Sequence, residues 1–223
     1  MPLDKLDQVA VFSAINIADC ALVHKHVDFW TTVSFSREAL IMGTICLVVG
    51  GRRSGKSEYA QTFAESVSGP RVFVATCPIM DQEMAERIRK HQEAREQSDW
   101  TTIEEPVELP AAILGAFRFN VILVDCLTLW VNNLMYESSK MGIPISEETV
   151  SEKCHELVDA CSAHPGKIIL VTNETGMGIV PDNEQSRLFL DLVGRCNQIV
   201  SKAAHRVILT VCGQSLIIKD LEF

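Results

Sequence analysis

Apolar residues in this chain fall into short blocks, with polar helical stretches between them. Thr44-Ile45-Cys46-Leu47-Val48-Val49, Arg71 to Thr76, Val121 to Asp125, Lys167 to Thr172 and Arg206 to Val211 are near-continuous apolar runs. A half-exposed strand alternates, and these runs do not. They predict strands covered on both faces. A helix follows the first block to about Val67 and is broken by Ser68-Gly69-Pro70. A strongly charged helix spans 81–97, with Met84 and Ile88 four apart on its apolar side. Trp100 to Glu105 reads as a short strand and 107–116 as a helix. Helices at 127–137 and 147–163 are separated by a loop with Gly142 and Pro144, and another runs from 183 to 204. Residues 206–211 and 215–218 flank Gly213-Gln214 as a C-terminal hairpin. The alternation predicts an α/β fold with a mainly parallel sheet and helices on both faces.

Between the first strand and its helix lies Gly50-Gly51-Arg52-Arg53-Ser54-Gly55-Lys56-Ser57. This fits G-x-x-x-x-G-K-[ST] in the strand, loop, helix context that the motif requires, and makes the fold P-loop NTPase-like. Loop N–H groups and the positive end of the following helix face one anion. Lys56 is placed to reach the β- and γ-phosphates, and Ser57 to ligate Mg²⁺. The motif fixes a nucleotide without saying which, or what is done with it.

Composition narrows the setting. The 223 residues are enough for one α/β domain with a sizeable core. A net charge of −9 leaves no broad basic face, which excludes non-specific nucleic-acid binding. Eight cysteines without a C-x-x-C pair, several inside apolar runs, read as buried free thiols in a reducing compartment, the cytoplasm. No apolar run is long enough for a membrane span. Residues 1–42 stand apart. Their apolar stretch from Val11 to Val23 is interrupted by Asn16 and Asp19 and lacks a basic leader, so it makes a poor signal peptide. They read as a loosely packed extension or an upstream start in place of Met42, with the catalytic domain at 43–223.

Three further features carry chemistry, each with a plainer alternative. Asp125 ends a buried strand, where a carboxylate either holds Mg²⁺ or caps the next helix. Arg87, His91 and Arg95 share one helix face. Flanking guanidinium groups favour neutral imidazole, a nucleophile, and can grip phosphate oxygens; the alternative is a solvated face of Glu–Arg pairs. Asn173-Glu174-Thr175-Gly176-Met177-Gly178-Ile179-Val180-Pro181 follows a buried strand, where open α/β sheets bind ligands, or is simply a turn before a helix. Arg187, Asp191 and Arg195 read as a surface ion-pair ladder.

Taken in order, these motifs resemble the bifunctional adenosylcobinamide kinase/adenosylcobinamide-phosphate guanylyltransferase family of cobalamin biosynthesis. The likeness covers about residues 44–219. It rests on the phosphate loop, Ala75-Thr76, Asp81 to His91, Trp100 to Pro106, Val124-Asp125-Cys126-Leu127-Thr128-Leu129-Trp130, Val171 to Pro181, and Gly194-Arg195-Cys196-Asn197-Gln198. The resemblance implies phosphorylation of adenosylcobinamide by ATP or GTP. It also implies transfer of GMP from GTP to adenosylcobinamide phosphate through a histidine, which maps to His91. Further nucleotide contacts map to Ala75, Thr76 and Cys77, to Gln92, Glu93, Ala94 and Arg95, and to Glu104 and Asp125. Cys77 stands where the family often carries alanine or a small polar residue. The resemblance also implies a homotrimer with the nucleotide near a subunit boundary, and leaves 1–42 without a counterpart. Two rival readings are a P-loop small-molecule kinase without nucleotidyl transfer, which would form ADP and no covalent GMP, and a GTP-dependent switch protein, which would need a protein partner.

Overall fold

The computed structural model describes residues 43–77 and 100–221. The extension at 1–42 and the helix expected at 81–97 lie outside the described residues. The described elements run β1 (Thr44–Gly50), α1 (Lys56–Glu65), β2 (Arg71–Ala75), β3 (Trp100–Glu104), α2 (Leu109–Gly115), β4 (Val121–Asp125), α3 (Leu127–Lys140), α4 (Glu147–Ala163), β5 (Lys167–Asn173), α5 (Glu184–Ala203), β6 (Arg206–Val211) and β7 (Gln214–Asp220). Helix starts are specified locally. Ser146 accepts the Thr149 N–H at the start of α4, and Asn183 accepts the Ser186 N–H at the start of α5.

One sheet holds all seven strands in the order β3-β2-β4-β5-β1-β6-β7. Every pairing is parallel except β6 with β7, the C-terminal hairpin. Strand β7 is an edge, and its register is pinned by Arg206, whose Nη2 lies 3.0 Å from Asp220 Oδ2. The central strands are buried on both sides, which is why their sequences show no alternation. Cys46, Val48, Leu123, Ile169, Val171 and Ile208 face α1, through Ala60 and Ala64. Ile45, Leu47, Ile122, Val124, Ile168 and Leu170 face the layer of α2 to α5, where Trp130 and Leu157 are fully buried. Trp130 keeps its indole N–H satisfied on the Val107 carbonyl at 2.8 Å. Large apolar side chains packed at this density each contribute roughly 2–5 kcal/mol against truncation.

Candidate active site

The carboxyl ends of the parallel strands form one rim, and the residue register sorts its side chains. Glu104, Ala75, Asp125, Val171 and Val48 share one rung. Asn173, Gly50 and Thr210 share the rung two residues further on. Adjacent parallel strands in register point the same way, and Val48 and Val171 face α1. Glu104, Asp125, Asn173 and the floor of the phosphate loop are therefore all on the α1 side of the rim.

The loop is shaped by contacts that its sequence specifies. Gly55 lies in the left-handed region at φ 93° and caps α1 without a side chain, which leaves the first helical amides unobstructed. Ser54 N–H donates to the Gly51 carbonyl at 3.2 Å and closes the turn. A Cβ on Gly50 would overlap Thr210 Oγ1 and Ser54 Oγ, so only glycine fits there. Arg52 and Arg53 are exposed. Lys56 rests its Nζ on the Gly51 carbonyl at 3.3 Å. These cations and the helix N-terminus make a local positive site on an acidic protein, suited to a polyphosphate.

The loop is braced from β6. Ser54 Oγ and Thr210 Oγ1 are 2.8 Å apart, and Thr210 Oγ1 also donates to the Val49 carbonyl at 3.2 Å. The Gly213 N–H of the β6–β7 turn donates to the Ser54 carbonyl at 2.9 Å. Sequence reasoning missed both braces. The signal was there in part: β5 and β6 each carry a threonine near the end of an apolar run, and Thr172 and Thr210 are both buried.

Thr76 and Cys126 lock the next part of the rim. Thr76 Oγ1 accepts the Cys126 N–H at 2.7 Å and lies 2.8 Å from its carbonyl, to which it donates. Thr76 is fully buried, and its own carbonyl accepts from Asn133 Nδ2 at 2.8 Å. Its hydroxyl thus faces β4 and not solvent, while Ala75 and Cys77 on either side are half-buried. Burial pushes the Cys126 thiol up to about 11; the Asp125 charge adds to the rise and Lys56 opposes it. Cys126, not Asp125, is the N-cap of α3, and it makes no side-chain cap bond. Asp125 lies one residue before the cap position.

Asp125 and Ser57 are both hard oxygen donors, which fits Mg²⁺. Strand β5 separates the strand of Asp125 from the strand leading to Ser57. Among the described residues no three of His, Cys, Asp and Glu converge as a metal cluster, so a metal here would be completed by phosphate and water. Glu104 sits two strands from Asp125 on the same rung. His91, Gln92, Glu93, Ala94 and Arg95 lie outside the described residues.

The segment after β5 is anchored at its start and exposed beyond. Glu174 N–H donates to the Gly50 carbonyl at 3.1 Å, and Gly176 N–H to Glu174 Oε1 at 2.6 Å. Met177, Ile179 and Val180 project into solvent. The ladder expected along α5 is replaced by other pairings. Arg187 donates to the Pro181 and Asp182 carbonyls, and Arg195 reaches across to Glu147 and Ser151 at the start of α4. A groove of about 460 Å³ beside Arg195, lined also by His155 and Lys202, lies between α4 and α5, on the opposite side of the sheet from the loop.

The family described as cobinamide kinase / cobinamide phosphate guanyltransferase matches residues 46–218. The bifunctional adenosylcobalamin biosynthesis protein CobU of Escherichia coli K12 is 37% identical over 180 residues, 78% of this chain and 98% of that protein. CobP of Pseudomonas aeruginosa, with the same description, is 38% identical over 174 residues, 78% of this chain and 96% of its own. CobU of Salmonella typhimurium LT2 is 38% identical over 181 residues, with 78% and 98% covered. Among solved structures, a KaiC-like protein of Pyrococcus horikoshii superposes with a TM-score of 0.51 at 16% identity, covering 81% of each chain, a likeness of fold alone. With its phosphate loop, Asp125 and the Asn173 segment all inside the matched span, the chain belongs to the cobinamide kinase / cobinamide phosphate guanyltransferase family.

Proposed function

We propose that this protein phosphorylates adenosylcobinamide and then joins GMP to the product, giving adenosylcobinamide-GDP in cobalamin biosynthesis. The observation that carries the reading is an intact, braced phosphate loop inside a chain that matches the family over 46–218. In the first reaction the substrate hydroxyl takes the γ-phosphoryl group of ATP or GTP, leaving a nucleoside diphosphate and a proton. Lys56 and the α1 amides hold the phosphates in line while charge shifts to the leaving oxygen. Mg²⁺, held by Ser57 and Asp125, supplies further charge neutralisation when bound.

In the second reaction a His91 nitrogen attacks the α-phosphorus of GTP. An N–P bond forms, the α–β anhydride breaks and pyrophosphate leaves. A phosphate oxygen of adenosylcobinamide phosphate then attacks the same phosphorus, the N–P bond breaks and imidazole is restored. Gln92, Glu93, Ala94 and Arg95 would contact the nucleotide beside it. Ala75, Thr76, Cys77 and Glu104 line the rim on the other side of Asp125. The setting we assign is the cytoplasm, and the assembly a homotrimer, which light scattering on the purified protein tests.

Incubation with GTP labelled at the α-phosphate, followed by denaturing separation, tests the chemistry. Acid-labile, alkali-stable label on wild type and none on His91→Ala is expected. Equal labelling of the variant removes His91 from this role. GDP formation in the presence of adenosylcobinamide, without any labelled protein, would instead support a simple kinase.

A further inference from the structure

At the end of β5 a buried polar atom has no partner. Asn173 spends its backbone fully: its N–H donates to Thr128 Oγ1 at 2.7 Å and its carbonyl accepts from Asn197 Nδ2 at 3.0 Å. Asn197 is held in turn by Thr172, whose hydroxyl donates to Asn197 Oδ1 at 2.7 Å. The side-chain oxygen of Asn173 is buried and accepts nothing, alone among the described buried side-chain nitrogen and oxygen atoms. An orphaned acceptor costs stability, and a rigid backbone that holds it in place asks for a ligand.

Its position says which ligand. Asn173 pairs with Gly50 in the sheet and shares its α1-facing side. Strand β5 lies directly between β1, which delivers Ser57 through the phosphate loop, and β4, which ends in Asp125. Asn173 is one strand over from Asp125 and one rung higher, about 8 Å away by strand spacing and rise. The end of β5 thus lies between the elements that carry Ser57 and Asp125, where an ion held by both would be. Waters on such an ion are hydrogen-bond donors, and the missing partner of Asn173 is a donor.

We propose that Asn173 Oδ1 accepts a hydrogen bond from a water of the nucleotide-bound Mg²⁺, making Asn173 a positioning residue for the metal between Ser57 and Asp125. The inference rests on the nucleotide reading given above. The amide would orient the metal's hydration shell, and the Thr128 and Asn197 contacts, with Thr172 behind Asn197, fix the backbone that carries the amide.

The test is binding of a fluorescent GTP analogue to the full chain, with Mg²⁺ and with EDTA, together with thermal melting of the free protein. Asn173→Ala should weaken binding in Mg²⁺ by about 10- to 100-fold, the range expected for one hydrogen bond to a charged group. Binding in EDTA should hardly change. Asn173→Asp, which keeps an acceptor oxygen, should retain most of the Mg²⁺-dependent gain. The melting temperature of free Asn173→Ala should stay level or rise, since an unpaired group has been removed. Equal loss in Mg²⁺ and EDTA, or no loss at all, overturns the proposal. Wild type that binds no GTP under either condition overturns the nucleotide reading itself.

Discussion

Gly213 donates its N–H to the Ser54 carbonyl at 2.9 Å, so the turn of the terminal hairpin holds the phosphate loop from outside. Gly213 has φ 77°, and its Cα would lie 3.2 Å from a Cβ added at Gly55. The close approach depends on Gly55 having no Cβ. Thr210, three residues earlier in strand β6, completes the brace through Ser54 Oγ. Thr210→Val keeps the shape and removes the hydroxyl, leaving Ser54 Oγ and the Val49 carbonyl without that partner. A stability loss of about 1–3 kcal/mol is expected. The loop should also hold nucleotide less well. Urea unfolding and GTP titration of the same variant check both. A variant as stable as wild type with unchanged affinity would mean that the brace is incidental.

Thr76 offers a second, separable test. Its hydroxyl serves both the amide and the carbonyl of Cys126, and so fixes the backbone directly after Asp125. Thr76→Val should cost about 1–3 kcal/mol, and several degrees of melting temperature, because two buried backbone groups lose their partner. Thr76→Ser should recover most of that. If Val and Ser melt alike, the hydroxyl does not hold this junction.

For Asp125 the readout is the metal. Asp125→Asn keeps the size and some hydrogen bonding and removes the charge. The Mg²⁺ concentration needed for half-maximal GTP binding should rise on the order of tenfold or more. The binding seen without metal should improve or stay level, since a carboxylate facing triphosphate has gone. A Mg²⁺ titration of fluorescent nucleotide binding gives both numbers. An unchanged midpoint would remove Asp125 from the metal.

Much of the architecture could be read along the chain, for a definite reason. Strands such as Val121 to Asp125 and Lys167 to Thr172 are apolar throughout because helices cover both faces, and glycine and proline punctuate the rest. The same continuity hid sidedness. Nothing in Leu47-Val48-Val49 tells which residue meets α1, and that choice decides that Asp125 and Asn173 share the loop's side. Strand order was hidden as well, so the place of β5 between the loop and Asp125 emerges only from pairing. Thr210 and Ser54 lie 156 residues apart, and no local pattern joins them. Arg195 illustrates the opposite failure: its spacing from Asp191 suggested a ladder on one helix, and the nearer charge turned out to be Glu147 on another. Free thiols were expected to be buried, and Cys46, Cys126, Cys154, Cys161 and Cys196 are; Cys212, on the turn beside the loop, is exposed.

Those buried thiols give the protein an alkaline limit. Burial raises Cys46 from the ordinary 9.0 to about 12, against the smaller pull of Arg206 and Lys167, and raises Cys126 to about 11. In the unfolded chain both ionise near the ordinary value. Below it both states hold the thiol proton, and the thiols add no pH dependence. Above it the unfolded chain releases protons that the folded one keeps, so stability falls as pH rises. The window runs from about 9 to about 11 for Cys126 and on to about 12 for Cys46. Each thiol contributes roughly 1.4 kcal/mol of loss per pH unit inside its window. Urea unfolding at pH 8, 9 and 10 measures the slope. Cys46→Ala should start less stable, because it leaves a small gap in the packed strand β1. Between pH 9 and 10 it should lose less than wild type, by about one thiol's share. If both proteins lose stability in parallel over that interval, Cys46 keeps no proton that the unfolded chain gives up, and other groups set the alkaline limit.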